Sequence, residues 1–199
     1  AIKYTLERVA SAGGRLTTDE STAALDTAIK GLTESIQDTR SIALRLRPPI
    51  LDDMGAVAAI RWLVKRFSDT YANVAFHVEF SVTADGIPQR LTTPIYRIVQ
   101  ESLNNIVKHA SAASALVSLR GDAETLVLEV VDDGIGFNSE GSDTGKFRKL
   151  GNFGRLGMRE RASISNGILN ISSAPGRGTT VRVEWTLTVD DLTWEQDDD

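Results

Sequence analysis

Four short clusters follow one another along the chain in an order that constrains its fold more than any other feature. The first is a helix-like stretch carrying Glu101, Asn105 and Lys108. The second, Asp132-Asp133-Gly134-Ile135-Gly136-Phe137, closes an apolar run; glycines at 151, 154 and 157 form the third, and Gly176-Arg177-Gly178-Thr179 is the fourth. Each is a weak signal by itself. Together they supply a metal-binding amide, a carboxylate able to read a base, a flexible glycine-rich segment and backbone donors for an anion.

Periodicity sets the elements that carry these clusters. Residues 1–12 read as the end of a helix broken by Gly13-Gly14, and Thr17-Thr18-Asp19-Glu20 fits a capping box opening a second one. Leu25, Ile29, Leu32, Ile36, Thr39, Ala43 and Leu46 then alternate spacings of four and three until Pro48-Pro49. Such a stripe belongs either to one amphipathic helix over a local core or to a helical-bundle interface. The seam is long and narrow, which favours the bundle. A hairpin of two helices has too little core alone, so two copies pairing into a four-helix bundle predicts a homodimer.

Further on, Asp53 to Tyr71 is helical in pattern, Phe76, Val78 and Phe80 alternate as a strand, and Thr92-Thr93-Pro94 is expected to start a helix running to Ala110. Strands are expected at about 114–120, 125–132, 168–173 and 179–187, with a short helix at about 157–165. Antiparallel strands with helices on one face make an α+β sandwich.

Composition removes other classes. With no cysteine and two histidines, His77 and His109, neither disulfides nor a zinc cluster can be built. His77, on a strand, reads as structural. No apolar run reaches the roughly 20 residues of a membrane span, and the opening residues lack the form of a signal peptide. The formal charge of −5 comes from 27 acidic and 22 basic residues, six of the acidic ones within the last ten positions. The body is therefore nearly neutral, the end reads as a solvated acidic tail, and nucleic acid is not the expected ligand.

On the helix after Pro94, Ile95, Ile98, Val99, Leu103 and Ile106 form the buried stripe, while Glu101, Asn105 and Lys108 fall within roughly 60° of one another on another face. An amide oxygen at Asn105 suits a hard cation such as Mg²⁺, which keeps waters and borrows phosphate oxygens. Lys108 adds charge toward phosphate, and Glu101 could accept a proton or hold a metal-bound water. The bland alternative is a surface network of acid, amide and amine. Asp132 sits at a strand end, where its carboxylate can accept the exocyclic amine of adenine, with Gly134 and Gly136 letting the backbone approach closely; an ordinary turn is the competing reading. No Walker loop or dinucleotide fingerprint is present. Residues 138–150 read as a mobile flap or as a plain surface loop, and the glycines after it lead into a helix start whose amides could receive phosphate. Gly176 to Thr179 alone is only a hairpin turn.

In order and separation these clusters resemble the N, G1, G2 and G3 boxes of the Bergerat-type ATP-binding fold, shared by histidine kinases, gyrase-like ATPases, a heat-shock chaperone and anti-sigma serine kinases. The segments Leu46 to Gly55, Glu101 to Ala110 and Phe153 to Ala162 resemble the NarL-partnered branch of two-component sensor kinases, across nearly all of residues 1–187. The resemblance implies that Asn105 holds Mg²⁺, Lys108 and His109 face phosphates or ribose, and Asp132 reads adenine. It also implies that Gly134 and Gly136 shape the base site, Gly154 and Gly157 flank a lid, and Gly178 and Thr179 close the base site. For His109, a polar helix-end residue is the alternative. That branch phosphorylates a histidine in its first bundle helix, and none occurs in residues 1–76. The acceptor is accordingly expected before Ala1, and this piece is expected to bind ATP without phosphorylating itself.

The expectation is therefore the core of a sensor histidine kinase. Residues 1–47 would be part of the dimerising hairpin, 48–56 a connector, 57–187 the ATP-binding domain of Bergerat-type α+β fold, and 188–199 the acidic tail. ATP and Mg²⁺ would be its cofactors and a response regulator of the NarL/LuxR type its partner. The fragment itself would be cytoplasmic, with a parent compatible with anchorage in the bacterial inner membrane. A catalytically silent, nucleotide-regulated interaction module of the same fold is the alternative. An anti-sigma serine kinase would lack the heptad hairpin and the Leu46-Arg47-Pro48 connector.

Overall fold

The computed structural model describes residues 22–29, 31–32, 48–83, 86–138, 153–188 and 191. The chain divides into two compact units at Arg47 and Pro48. In the first, residues 22–29 and 31–32 are helical, with Ala24 and Ala28 buried and Leu25, Ile29 and Leu32 of the heptad stripe exposed. The expected first helix, the capping box at Thr17 and the stripe beyond Leu32 lie outside the described residues.

The second unit starts with α1, Pro49–Thr70, where proline at the first turn costs no hydrogen bond. Gly55, at φ 69 and ψ 173, interrupts it, so the expected connector is helical on both sides of a kink. Leu51 and Ala56 from that segment join the core together with Ala59, Ile60, Leu63 and Val64. β1, Ala75–Phe80, follows and turns Phe76, Val78 and Phe80 toward the core.

Next, α2 runs over Gln89–Asn105, starting three residues before the expected Thr92. Leu91 is fully buried and its N–H closes the first turn on the Pro88 carbonyl at 2.8 Å, so core packing extends the helix forward. Pro94 consequently stands inside the helix, where it removes the bond to the Arg90 carbonyl. The chain then makes one π turn, Ile106–Ala110, and leaves through Ser111 in a left-handed conformation at φ 48. β2 (Ser114–Gly121), β3 (Thr125–Asp132), α3 (Phe153–Ile164), β4 (Gly167–Ser173) and β5 (Thr179–Thr186) complete the unit.

The five strands form one sheet in the order β1-β2-β3-β5-β4. The expectation of a purely antiparallel sheet is corrected by β1, which pairs parallel with β2 from Ala75↔Ser114 to Phe80↔Leu119. The reason is the connection: α2 carries the chain back along the sheet, the long crossover a parallel neighbour needs. The α+β class holds, since the remaining pairings are antiparallel and strand residues alternate between a buried and a solvent face. Leu126, Leu128 and Val130 of β3, with Val181, Val183 and Trp185 of β5, line the face on which the helices pack.

One residue of the acidic end also departs from expectation. Asp191 is 8% exposed rather than solvated. Its carboxylate takes both Nε of Arg90 at 2.5 Å and Nη2 at 2.6 Å, together with the N–H and hydroxyl of Thr188. The Arg90 guanidinium therefore holds this carboxyl well below the usual range. Arg90 also donates to the Ser165 carbonyl at 2.9 Å, joining the starts of α2 and the end of α3 to the chain after β5. Among the described residues no helix is long and apolar enough to cross a membrane.

Candidate functional site

At the end of β3 the alternation that buries Leu126, Leu128 and Val130 also buries Asp132, at 8% exposure. Its Oδ1 accepts the Gly134 N–H at 2.9 Å, and Thr179 is its register partner on β5, with a polar N–H and hydroxyl on the side that favours the charged carboxylate. Burial pushes the carboxyl pKa up, and the bonds from Gly134 and Thr179 oppose that shift. A buried carboxylate with spare acceptor capacity is a demanding reader of a donor such as a purine amine.

The turn beyond it is fixed from two sides. Ile135 donates its N–H to the Ala110 carbonyl at 2.8 Å, at the end of the π turn. From the β4–β5 connection, Gly178 donates to the Gly134 carbonyl at 2.9 Å and Gly176 to the Ile135 carbonyl at 2.7 Å. Ser173 Oγ accepts the Phe137 N–H at 2.9 Å and donates to the Gly178 carbonyl at 2.7 Å. The chains approach so closely that Gly136 at φ 60 and Gly178 at φ 66 leave no room for a Cβ: one would collide with the Ala174 carbonyl, the other with that of Asp132. Asp133 points elsewhere, accepting the N–H groups of Ala113 and Ser114 at 2.8 and 2.9 Å to fix the start of β2.

The α2 side is built differently. Leu91, Ile95, Ile98, Val99 and Leu103 are buried, leaving Glu101 and Asn105 half-exposed one turn apart on the opposite face. Lys108 and His109 fall in the π turn and are exposed. The wider turn, a feature frequent at functional sites, was not legible in the sequence, which suggests plain α-helix to Ala110. Gly154 lies against the Glu101 carboxylate, and a Cβ there would collide with Oε1. α3 begins four residues earlier than the expected 157, so Gly154 and Gly157 are inside the helix rather than leading into it. The close approach to Glu101 explains the first glycine, while Gly157 faces Arg161 of its own helix.

Of the residues singled out in the sequence, Asp132, Gly134, Gly136, Gly178 and Thr179 meet in one interlocked cluster, and Glu101 meets Gly154. Asn105, Lys108 and His109 share the α2 end, which meets that cluster through the bond from Ile135 to Ala110 and the close approach of Gly134 to Ala110.

The model for the histidine kinase-, DNA gyrase B-, and HSP90-like ATPase family matches residues 91–189, which contain both halves of this arrangement. Residues 91–189 form a domain of this ATPase family. It is similar to the oxygen sensor histidine kinase NreB of Staphylococcus carnosus, 40% identical over 154 residues, covering 77% of this chain and 42% of that protein. The chain thus spans less than half the length of this relative. Its fold resembles the histidine kinase domain of the Erythrobacter litoralis EL346 blue-light activated kinase, at 20% identity, 96% and 95% coverage and a TM-score of 0.56. The Acinetobacter baumannii histidine kinase AdeS gives 13% identity, 94% and 93% coverage and a TM-score of 0.55.

The side-chain oxygens of Glu101 and Asn105 stand one turn apart on α2, and among the described residues no three acidic or histidine side chains group to hold a metal by themselves. That set fits Mg²⁺, which is held by one or two protein oxygens plus substrate phosphates, and does not fit zinc. Two contributors escaped the sequence reading. Ser173, at the last position of a strand, links Phe137 to Gly178 and has no motif to mark it. Arg155, whose guanidinium lies over the Phe137 ring 4.8 Å from its centroid, hides among the surrounding arginines.

Proposed function

We propose that this chain is the ATP-binding catalytic core of a sensor histidine kinase, in which Asp132 reads the adenine amine and the polar end of α2 holds the Mg²⁺-bound phosphates. The observation that carries the reading is the buried Asp132 carboxylate, bonded by Gly134 and paired in register with Thr179 at the sheet end of an ATPase-family domain. Gly134, Gly136 and Gly178 shape the base site by letting three backbone segments meet there. Asn105 holds the cation, Lys108 supports the phosphates, and His109 contacts phosphate or ribose at the same helix end.

Bound with the nucleotide, Mg²⁺ neutralises phosphate charge, which lowers the cost of moving the γ-phosphoryl group. Positioning by α2 and the β3 turn supplies the remaining advantage. Glu101 is the candidate proton acceptor, its carboxylate placed against Gly154. In the intact kinase the γ-phosphoryl passes to a histidine, then to an aspartate of a response regulator of NarL/LuxR type. Residues 1–47 act as part of the dimerising hairpin, 48–56 as a connector and 57–187 as the catalytic domain; the exposed Leu25, Ile29 and Leu32 support a seam buried by a second copy. The first 76 residues of the chain contain no histidine.

Calorimetric titration with a non-hydrolysable ATP analogue, with and without Mg²⁺, tests the site. Saturable binding that Mg²⁺ strengthens, and that Asn105→Ala makes indifferent to Mg²⁺, is expected; absence of binding removes the reading.

A further inference from the structure

The apolar face of the sheet ends in a polar row. Val130, Val181 and Ile171 stand side by side across β3, β5 and β4 and pack into the core. In the next row along the same face, the register aligns Asp132, Thr179 and Ser173. Cross-strand partners point to one side of a sheet, so a carboxylate and two hydroxyls continue the face on which the helices pack. Beyond linking Phe137 to Gly178, Ser173 thus stands third in line from the base-reading carboxylate.

A serine hydroxyl has one hydrogen to give. At Ser173 that hydrogen goes to the Gly178 carbonyl at 2.7 Å, while the Phe137 N–H donates to the same Oγ at 2.9 Å. Thr179 Oγ1 lies 3.2 Å from Ser173 Oγ, a separation at which either hydroxyl could donate. With the serine hydrogen committed to the shorter bond, Thr179 is the donor of this contact. Its one hydroxyl hydrogen has a second acceptor on the other side, Asp132, whose charged form the same hydroxyl favours. A threonine hydrogen turned onto the carboxylate competes with an exocyclic amine for the same oxygens.

We propose that Ser173 is a positioning residue for base recognition: by accepting the Thr179 hydroxyl it keeps the Asp132 carboxylate open to the amine of adenine, and so raises the selectivity of the site for that base. The inference rests on the nucleotide reading above and deepens it. Ser173 acts through Thr179 rather than on the nucleotide.

The test uses the full 199-residue chain and calorimetric affinities for ATP and for purine riboside triphosphate, which carries hydrogen in place of the amine. Thermal melts check folding. Ser173→Ala is expected to weaken ATP about tenfold, the size of one hydrogen bond, and purine riboside triphosphate by less than about threefold. Ser173→Thr, which restores the hydroxyl on a strand that tolerates β-branching, recovers the wild-type ratio. In Thr179→Val the discrimination between the two nucleotides is already reduced, and adding Ser173→Ala reduces it no further. Ser173→Cys, close in size but a weak acceptor, moves the ratio in the direction of the alanine variant and keeps the test decisive if that variant unfolds. Equal losses for the two nucleotides would mean that the hydroxyl only braces Phe137 and Gly178, and would overturn this inference while leaving the site in place. An unchanged ratio in both Ser173→Ala and Ser173→Cys overturns it in the same way. Wild-type protein that binds neither nucleotide overturns the site reading and this inference with it.

Discussion

The two sides of the candidate site are made in opposite ways. On the β3 side a buried carboxylate, three close-packed glycines and a serine hydroxyl are locked by backbone hydrogen bonds between 2.7 and 2.9 Å. On the α2 side Asn105 is half-exposed and Lys108 and His109 are exposed, at the end of a helix that has already relaxed into a π turn. The difference teaches what each side must do. Reading a flat, neutral base needs donors and acceptors in place beforehand, because unpaired buried groups are what reject the wrong base. Gripping a triphosphate with its cation needs charge and solvent access, and the geometry can form around the ligand.

The comparison makes its strongest claim at Gly178. Alanine there must adopt φ 66 and would meet the Asp132 carbonyl, so Gly178→Ala should cost about 2–4 kcal/mol of stability and most nucleotide binding, measured by urea unfolding and calorimetry. An α2 substitution should do nothing comparable to the fold: Asn105→Ala should shift stability within about 0.5 kcal/mol while removing the Mg²⁺ effect on binding. Equal destabilisation by the two would erase the distinction.

Asp132→Asn should weaken ATP by about tenfold to a hundredfold and yet leave the domain as stable or slightly more so, because burial already disfavours the charge. The pH dependence follows from the same shift. With its folded pKa raised, the native state keeps a proton that the unfolded chain has released, so this residue's contribution to stability falls as pH rises from the ordinary carboxylate value through the raised one. Nucleotide affinity runs the other way and climbs as the carboxylate ionises. Asp191 is the counterexample: its pKa is depressed, so its contribution is present above the ordinary value and is lost as pH falls through the folded one. Titration of unfolding midpoints in wild type, Asp132→Asn and Asp191→Asn separates the two. At Asp191, where Arg90 is partly exposed, Asp191→Asn should cost about 1 kcal/mol of stability, read as a lower urea midpoint.

What the sequence made legible follows the same divide. Apolar periodicity found β3, β5 and the buried stripe of α2, since burial fixes those residues whatever surrounds them. It found Gly136 and Gly178 as well, because a Cβ at either would collide with a backbone carbonyl. Long-range packing stayed hidden. Nothing in Thr92-Thr93-Pro94 reveals that Leu91 draws the helix forward past a proline, nor does a run of acidic residues mark Asp191 as the partner of Arg90 101 positions away. The parallel pairing of β1 likewise depends on where α2 lands and not on the strand's own pattern.

The central claim is that Asp132 reads the amine of adenine, and inosine triphosphate, which carries a carbonyl in place of that amine, tests it directly. Calorimetry should give ATP an affinity at least about tenfold higher than inosine triphosphate, with Asp132→Asn collapsing the ratio toward one. Equal affinities in the wild-type protein, or a ratio that survives the substitution, would contradict the account.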